Sequence, residues 1–347
     1  MKHILMLCAT VICFIACKKN LEEEFVNKIN EEGILSAKLS PVPNPVPPYQ
    51  WASLPVPAMI SYPWNGPSTN NLIIPVGNDI YLLTGSLLGV YYRLNNQTKK
   101  WETYSPTFGL FGVGYQHLFS YQGKIYSGMM PGVNFNETFF YSIDPVTGAS
   151  NTLATFPGIP TYQPITFVLG GIGYLISGYN NTTTSRVWEY NFATNVWSNK
   201  GNSPLGKRTG GIAMVANGKV FMGLGYENTT FNGQTIRRYK KDWLQYTPGS
   251  AYSAIKADFP GQARSEAKGF VVNNSPHLGF GKSGSTYYKD FWKYNPSSNT
   301  WTQQPNWPGI TSTDDNNIGS FSLGTTGYVV KGALAEFWRY SNSIFYP

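Results

Sequence analysis

The stretch YLISGYNNTTTSRVWEYNFATNVW, residues 174–197, decides the fold, because its pattern of aromatic residues and glycine returns along the chain. An aromatic residue precedes a glycine by four positions, an aromatic-x-aromatic pair follows, and a tryptophan comes seven residues after that pair. The stretch HLGFGKSGSTYYKDFWKYNPSSNTW, residues 277–301, has the same pattern with histidine in the first position. A repeat of this length indicates one supersecondary unit that is copied and stacked.

Four further copies are degraded but remain in phase with these two. The fourth copy, for example, runs from Phe221 to Gly225, and we assign its third strand to Tyr239 and its tryptophan to an early Trp243. Neighbouring copies begin 45 to 56 residues apart, with anchors at Tyr81, Tyr126, Tyr174, Phe221, His277 and Tyr328.

Each copy has the signals of four short strands. Asn217-Gly218 separates two apolar runs, and this dipeptide supplies the positive φ angles of a tight hairpin turn. Gln122-Gly123 and Thr326-Gly327 are predicted to turn at the same place in their copies. One four-stranded antiparallel sheet cannot bury both of its faces, whereas sheets packed face to face around an axis can. The sequence therefore predicts an all-β propeller.

At these residues the chain resembles the kelch-repeat β-propellers, which belong to the galactose oxidase-like central-domain superfamily. The residues that carry the resemblance are the glycine after the second strand, the Trp-x-Tyr pair and the later tryptophan, over residues 50–347. The chain departs from the family by having one glycine where two are usual. The resemblance implies six blades of four antiparallel strands each, and it is weak for function because one fold hosts many activities.

The sixth copy ends before its fourth strand, since Pro347 is the last residue given. The stretch from Trp51 to Pro55 has the look of the missing strand. We predict that it pairs with the strand Trp338–Tyr340 and joins the two ends of the ring, which removes an open sheet edge. The alternative is a ring of seven blades in which residues 49–62 form a remnant blade.

The N-terminal segment is typical of an exported lipoprotein. Residues 1–16 resemble a signal peptide, and Cys17 follows a small residue as in a bacterial lipobox, where the cysteine receives lipid. Residues 17–49 then form a Pro-rich tether, which favours an extended spacer. We expect anchorage at the outer membrane, facing the periplasm or the surface; the alternative is an ordinary signal peptide with an incidental cysteine.

Cysteine content and charge limit the function classes. Cys8, Cys13 and Cys17 are the only cysteines, so the body has no disulfide. The formal charge is +8, but the basic residues are scattered, and with an export signal we expect no nucleic-acid partner. We expect a monomeric propeller.

Ligands of propellers usually bind in the axial funnel, which residues just before each first strand and the loops between second and third strands line. Aromatic faces stack on sugars, and amides, carboxylates and guanidinium groups bond their hydroxyls. The candidate binding residues are Tyr115, Gln116, His117, Tyr162, Gln163, Arg208 and Asp315. A structural role is the alternative for Arg208 and Arg264, which would then bond backbone carbonyls between blades.

Enzyme chemistry is narrowed by what the residues supply. The copper oxidases of the kelch type use a Tyr–Cys crosslink and histidine ligands, but this body lacks cysteine and has only His117 and His277. We therefore expect neither metal nor cofactor. Some small secreted kelch propellers are sialic acid mutarotases; the resemblance makes Glu266 and Arg264 candidate catalytic residues for such proton transfer.

Three hypotheses for function follow. The first is an envelope-anchored binding lipoprotein that presents its funnel or rim to a glycan or a protein partner. The second is a cofactor-free sugar mutarotase or epimerase. The third is a structural lipoprotein in a complex of the cell envelope. The residue order does not separate the first two.

Overall fold

The computed structural model describes residues 48–54, 72–76, 79–83, 91–95, 100–104, 116–130, 137–249, 253–309, 318–331 and 336–342. All regular structure in these ranges is β-strand. No helix with the length and apolar character needed to cross a membrane occurs in them. The expected signal peptide, Cys17 and nearly all of the tether lie outside the described residues.

The described strands form six four-stranded antiparallel sheets, as predicted. The first strand of the chain is β1 (Gln50–Leu54), which belongs to the last sheet. The first three blades contain β2 (Leu72–Val76), β3 (Asp79–Leu83), β4 (Tyr91–Asn95) and β5 (Lys100–Tyr104); β6 (Gln116–Tyr121), β7 (Lys124–Met130), β8 (Glu137–Ile143) and β9 (Ser150–Thr152); and β10 (Ile165–Leu169), β11 (Ile172–Asn180), β12 (Thr182–Asn191) and β13 (Val196–Asn202).

The other three blades include two extra hairpins. Blade 4 contains β14 (Ile212–Ala216), β15 (Lys219–Gly223), the hairpin β16 (Tyr226–Phe231) and β17 (Gln234–Tyr239), then β18 (Trp243–Tyr246) and β19 (Ala254–Ile255). Blade 5 contains β20 (Lys268–Val272), β21 (Ser275–Gly279), the hairpin β22 (Lys282–Ser283) and β23 (Thr286–Tyr287), then β24 (Phe291–Asn295) and β25 (Thr300–Gln304). Blade 6 contains β26 (Ile318–Leu323), β27 (Thr326–Lys331), β28 (Glu336–Ser341) and β1.

The first strands of the blades form the inner ring. β2, β6, β10, β14, β20 and β26 each contact the first strand of the next blade, and β26 contacts β2. This closed series of contacts defines the axis of a six-bladed propeller, and the prediction of fold class is confirmed.

The hairpin turns follow the turn residues in most blades. Asn217 and Gly218 both have positive φ, and so do Gln122 and Gly123, because these residues enter the left-handed region at low cost. The predicted turn at Thr326-Gly327 is wrong: the chain reverses between Leu323 and Thr326, and Gly327 pairs with Tyr340 inside the sheet. Gly324 supplies the positive φ there.

The conserved spacing of the repeat has a hydrogen-bonding cause. In blade 3 the Tyr190 hydroxyl donates to Asn195 Oδ1, which also accepts the Ala154 amide, and Trp197 Nε1 donates to the Ala154 carbonyl. Ala154 belongs to the segment that leaves blade 2, so the tyrosine and the tryptophan hold neighbouring blades together. Blade 5 repeats the same bonds with Tyr294, Asn299, Trp301 and Ala257.

Closure of the ring is confirmed at Trp51. β1 pairs with β28 with Trp51 opposite Tyr340, just as Trp197 stands opposite Tyr190. Trp51 Nε1 donates to the Pro305 carbonyl at 2.9 Å, in the segment that leaves blade 5. The indole therefore supplies the bond that the sixth copy lacks in sequence order.

Blade 4 requires a correction. Trp243 begins β18, the third strand of the sheet, and is not a fourth-strand tryptophan. Tyr246 stands opposite Val220, where blades 3 and 6 place the tyrosine of the pair, whereas Tyr239 belongs to the inserted β16–β17 hairpin. The insertion explains why the fourth and fifth anchors are the most widely spaced.

Candidate functional site

The residues that enter three consecutive first strands meet around the axis. Gln163, Gly210 and Glu266 each precede a first strand, and each has a positive φ. The Gly210 amide donates to the Gln163 carbonyl at 3.0 Å, and the Glu266 amide donates to the Gly210 carbonyl at 2.7 Å. These bonds connect blades 3, 4 and 5 at one end of the inner ring. We name this region the axial mouth. It comprises Gln163, Gly210, Glu266 and the side chains around Glu266.

Glu266 is surrounded by basic groups. Its carboxylate forms an ion pair of 3.2 Å with Lys282, and both side chains are less than one-fifth exposed. Lys268 lies on the adjacent first strand, and burial lowers its pKa, an effect that the negative charge of Glu266 partly offsets. No ion pair of Lys268 occurs within the described ranges. One carboxylate and two amines thus share the axial mouth.

The β16–β17 hairpin adds a phenol and a guanidinium to this group. Arg237 lies over the ring of Tyr226, 5.2 Å from its centroid, and Tyr239 contacts the same ring. Burial raises the pKa of Tyr226, Arg237 acts in the opposite direction, and the charge of Glu266 raises it again. The Tyr226 hydroxyl therefore keeps its proton at neutral pH and can donate a hydrogen bond.

The hairpins of blades 4 and 5 are connected above the inner ring. The Gly284 amide, between β22 and β23, donates to the Tyr239 hydroxyl at 2.9 Å. Lys240 forms an ion pair of 3.2 Å with Glu227 at the base of the β16–β17 hairpin. These contacts hold the hairpin that carries Tyr226 and Arg237 against the rest of the ring.

The two predicted arginines do not face the axial mouth. Arg208 is 2% exposed and forms bidentate bonds of 2.8 Å with Asp242, and it also donates to the carbonyls of Leu205 and Leu224. Arg264 is fully buried, pairs in the same way with Asp290, and donates to the Phe280 carbonyl.

These contacts are those of structural arginines, the alternative that the sequence left open. The structure separates Arg264 from Glu266 because Ser265 pairs with Lys282 and Glu266 turns into the left-handed region. The cation that contacts Glu266 is Lys282.

The other predicted binding residues are only partly brought together. Tyr162 is 41% exposed and pairs through its backbone with Tyr179, directly beside Gln163. Gln116 and His117 begin β6, and only their backbone is described. Tyr115 and Asp315 lie outside the described residues, as do Asp314 and Asn316.

Lys268, Lys282, Tyr226 and Arg237 were not predicted from the sequence. Lys282 directly follows the glycine of the repeat, a position that the sequence pattern could have marked as the exit of the second strand. Tyr226 and Arg237 lie on an inserted hairpin that the repeat does not predict, so only their packing identifies them.

His277 is a core residue, as its place in the repeat suggests. It is 2% exposed, its Nδ1 lies 2.9 Å from the Ser275 carbonyl oxygen, and its ring contacts Phe270, Phe291 and Tyr340. In the described part of the chain no three histidine, cysteine, aspartate or glutamate side chains stand close enough to share a metal ion.

The axial mouth can bind an anion and move a proton. Two amines and a guanidinium attract a carboxylate, while Glu266 can accept a proton from a hydroxyl. The phenol of Tyr226 can donate one hydrogen bond to a ring or hydroxyl oxygen.

Comparison with known proteins gives short matches in sequence and longer matches in fold. No protein-family model matches the chain. The N-acetylneuraminate epimerases of Salmonella enteritidis PT4 and Salmonella typhi are each 33% identical to it over 104 residues. This match covers 28% of the chain and 24% of each relative, so the chain matches about a quarter of the length of these curated relatives.

The solved structure of YjhT superimposes with a TM-score of 0.52 at 17% identity. The superposition covers 67% of this chain and 82% of that one. At such identity the likeness concerns the fold. With the repeat, the inner ring and the closing strand, it leads to one conclusion: the chain has the fold of a six-bladed kelch-type β-propeller.

Proposed function

We propose that the axial mouth binds an acidic sugar and accelerates the exchange between its ring anomers. The observation that carries the proposal is the Glu266 carboxylate, which is little exposed, forms an ion pair with Lys282 and interacts electrostatically with Lys268. The short match to proteins named N-acetylneuraminate epimerase supports an acidic sugar as the substrate class.

The exchange needs only proton transfers. Glu266 accepts the proton of the anomeric hydroxyl while the Tyr226 hydroxyl gives its proton to the ring oxygen, and the bond between the anomeric carbon and the ring oxygen breaks. The open-chain carbonyl compound rotates and closes again on its other face, which returns both protons. Lys268 and Lys282 hold the sugar carboxylate, and Tyr226 donates to an oxygen of the ring. Atoms and charges balance without a cofactor.

The test measures the exchange rate between the anomers of N-acetylneuraminate by NMR magnetisation transfer, with and without the protein. We expect the wild type to accelerate exchange and Glu266→Gln to lower that acceleration about 100-fold or more, since general acid–base catalysis contributes that much. Glu189→Gln is the matched control, because Glu189 is about as little exposed as Glu266 and forms an ion pair of 3.0 Å with Lys200 in the outer strands of blade 3. Equal rates for the wild type and Glu266→Gln contradict the proposal.

A binding module is the second candidate, favoured by the exposed ring of Tyr162 beside the axial mouth. An aromatic face of this kind stacks on sugar rings. In this case the protein binds N-acetylneuraminate or an envelope glycan in calorimetry, Tyr162→Ala weakens binding, and the anomers exchange at their uncatalysed rate. A structural lipoprotein would give neither signal.

A further inference from the structure

Blades 4 and 5 contain the same ion pair, between a buried arginine and a partly exposed aspartate, at the same position. Arg208 and Arg264 directly precede Thr209 and Ser265, and each of these pairs through its backbone with a residue just after the second strand of its blade. Arg208 donates to the Leu224 carbonyl and to Asp242, and Arg264 donates to the Phe280 carbonyl and to Asp290. Leu224 and Phe280 are left-handed residues that follow the second strand. Each aspartate stands two residues before the third-strand position that Trp292 occupies in blade 5. The guanidinium fills the space between the sheet and the segment arriving from the preceding blade.

Blade 3 has different residues at both positions. Thr161 takes the place of the arginine, and Arg186 takes the place of the aspartate, two residues before Trp188. The Thr161 hydroxyl donates to the Ser177 carbonyl at 3.1 Å, and so satisfies the acceptor that an arginine bonds in the other two blades. The space that a guanidinium would fill is open.

The result is a cleft of about 380 Å³ between blade 3 and the segment that leaves blade 2. We name it the blade-3 cleft. Its apolar lining consists of Phe156, Ile159, Leu175 and Trp188. Phe156 packs edge-on against Trp188 with 5.1 Å between the ring centroids. Its polar lining consists of hydroxyl, amide and guanidinium groups on Thr161, Ser177, Asn180, Thr182, Thr184, Arg186 and Asn199.

Two donors of the blade-3 cleft have no acceptor within the described ranges, and one of them, Trp188, has equivalents in blades 5 and 6 that do have one. Trp292 Nε1 donates to Asp290 at 2.8 Å, and Trp338 Nε1 donates to Glu336 at 2.9 Å. Trp188 is preceded by Arg186 instead, which cannot accept. Within the described ranges neither Trp188 Nε1 nor the exposed Arg186 guanidinium has a hydrogen-bond or ion-pair partner.

We propose that the blade-3 cleft binds a pyranose that bears a carboxylate, of the uronic acid type. The carboxylate of the ligand supplies the acceptor that an aspartate supplies in blade 5, and it receives bonds from Arg186 and Trp188 Nε1. The apolar floor stacks on the sugar ring, and the threonine and asparagine side chains bond its hydroxyls. The cleft volume lies in the range of small-ligand sites.

This proposal does not rest on the proposed function, because it uses residues of blade 3 and none of the side chains around Glu266. A failed anomer-exchange assay leaves it untouched. Its own test must therefore report binding at the cleft and not turnover.

The first test is a titration of protein labelled with ¹⁵N in its tryptophan indoles, with sodium glucuronate as the probe and glucose as the neutral comparison. Trp188→Phe assigns the Trp188 indole signal. We expect this signal to shift in a saturable way with glucuronate and to respond at least about tenfold more weakly to glucose, which lacks the charge. A stationary Trp188 signal at saturating glucuronate overturns the proposal.

The second test recreates the ion pair of the neighbouring blades. Thr161→Arg with Arg186→Asp places a guanidinium and a carboxylate where blades 4 and 5 have them, which fills the cleft without leaving a buried charge unpaired. We expect this double variant to keep its melting temperature and to lose glucuronate binding.

Arg186→Gln is the single-charge version, and we expect it to weaken binding about tenfold or more. Arg238→Gln is its control, because Arg238 is an exposed arginine of β17 and its removal changes the net charge equally. Equal affinities of the Arg186→Gln and Arg238→Gln variants overturn the proposal, as does undiminished binding by a folded double variant.

Discussion

At the residue scale, His277 couples the stability of blade 5 to pH. Burial lowers its pKa to about 4, because the aromatic rings around it cannot solvate an imidazolium, and the bond to the Ser275 carbonyl only partly offsets this. The unfolded chain exposes the histidine, whose pKa is then near 6.5. Between these two values the unfolded state binds more protons than the folded state.

The unfolding free energy is therefore expected to fall as the pH drops from about 6.5 to about 4, with a total loss of about 3 kcal/mol from this group. Urea unfolding of the wild type and of His277→Phe at pH 7 and pH 5 measures the effect. The variant should lose less stability than the wild type between these pH values. Parallel losses in the two proteins would show that His277 is not the group responsible.

Also at the residue scale, Arg186 stands where blades 4 and 5 have an aspartate, which shows that the repeat tolerates loss of the arginine–aspartate pair. Thr161 satisfies the backbone acceptor with a short side chain, so the blade closes without a guanidinium. The consequence is the cleft in blade 3, at the place where blades 4 and 5 have the guanidinium of Arg208 or Arg264.

At the scale of the strands, the glycine that follows the second strand of blades 4 and 5 is required by close backbone approach. Gly281 has a φ of +78°, and a Cβ there would collide with the Ser265 carbonyl oxygen of the entry segment. Gly284 also has a positive φ, of +61°, but nothing lies within 4 Å of the position of its Cβ. The two positions therefore separate backbone strain from steric collision.

We expect Gly284→Ala to cost about 1 to 2 kcal/mol from backbone strain, and Gly281→Ala to cost about 1 to 3 kcal/mol more because the sheet must also move. Chemical unfolding of the two variants side by side gives this difference. Equal losses would mean that the entry segment yields freely, and that the glycine of the repeat serves only its φ angle.

The closing strand is the second element whose contribution can be measured. Trp51 packs against Phe291 and Tyr340 at centroid distances of 5.0 and 4.9 Å and donates to the Pro305 carbonyl. Trp51→Ala removes both the packing and the bond, and we expect a loss of about 3 to 5 kcal/mol. Trp51→Phe keeps most of the packing and should cost less.

Thermal unfolding of the two variants and of the wild type is compared by circular dichroism, at a wavelength where the signal does not depend on tryptophan. An unchanged transition in Trp51→Ala would show that β1 does not stabilise the ring.

At the scale of the whole molecule, the prediction of a lipid anchor can be tested at Cys17. We predict that Cys17 receives lipid and that Cys17→Ser prevents it. In a lipobox, which the sequence before Cys17 resembles, the cysteine thiol is the group to which the lipid is attached. Metabolic labelling with a lipid precursor, followed by extraction of the wild type and the variant, measures this. Label in Cys17→Ser, or none in the wild type, contradicts the prediction.

The sequence by itself determined the class of fold, the number of blades and the closing strand. These features follow from local spacing. The repeat's tyrosine, the tryptophan seven residues later and the Asn-Gly turn each act within one blade or between neighbouring blades, so a short sequence pattern is enough to predict them. It failed at the β16–β17 hairpin, since an insertion shifts the spacing without a signal of its own, and Trp243 was placed in the wrong strand.

Only the tertiary structure decided which side chains surround the axial mouth. Arg264 and Glu266 are two residues apart, yet one is buried against Asp290 and the other turns toward Lys282, because Ser265 pairs with the next hairpin. The open space beside Arg186 exists because Thr161 is too short to fill it, and these two residues are distant in sequence. Packing and charge pairing between blades are properties of the assembled ring, which is why a linear pattern does not contain them.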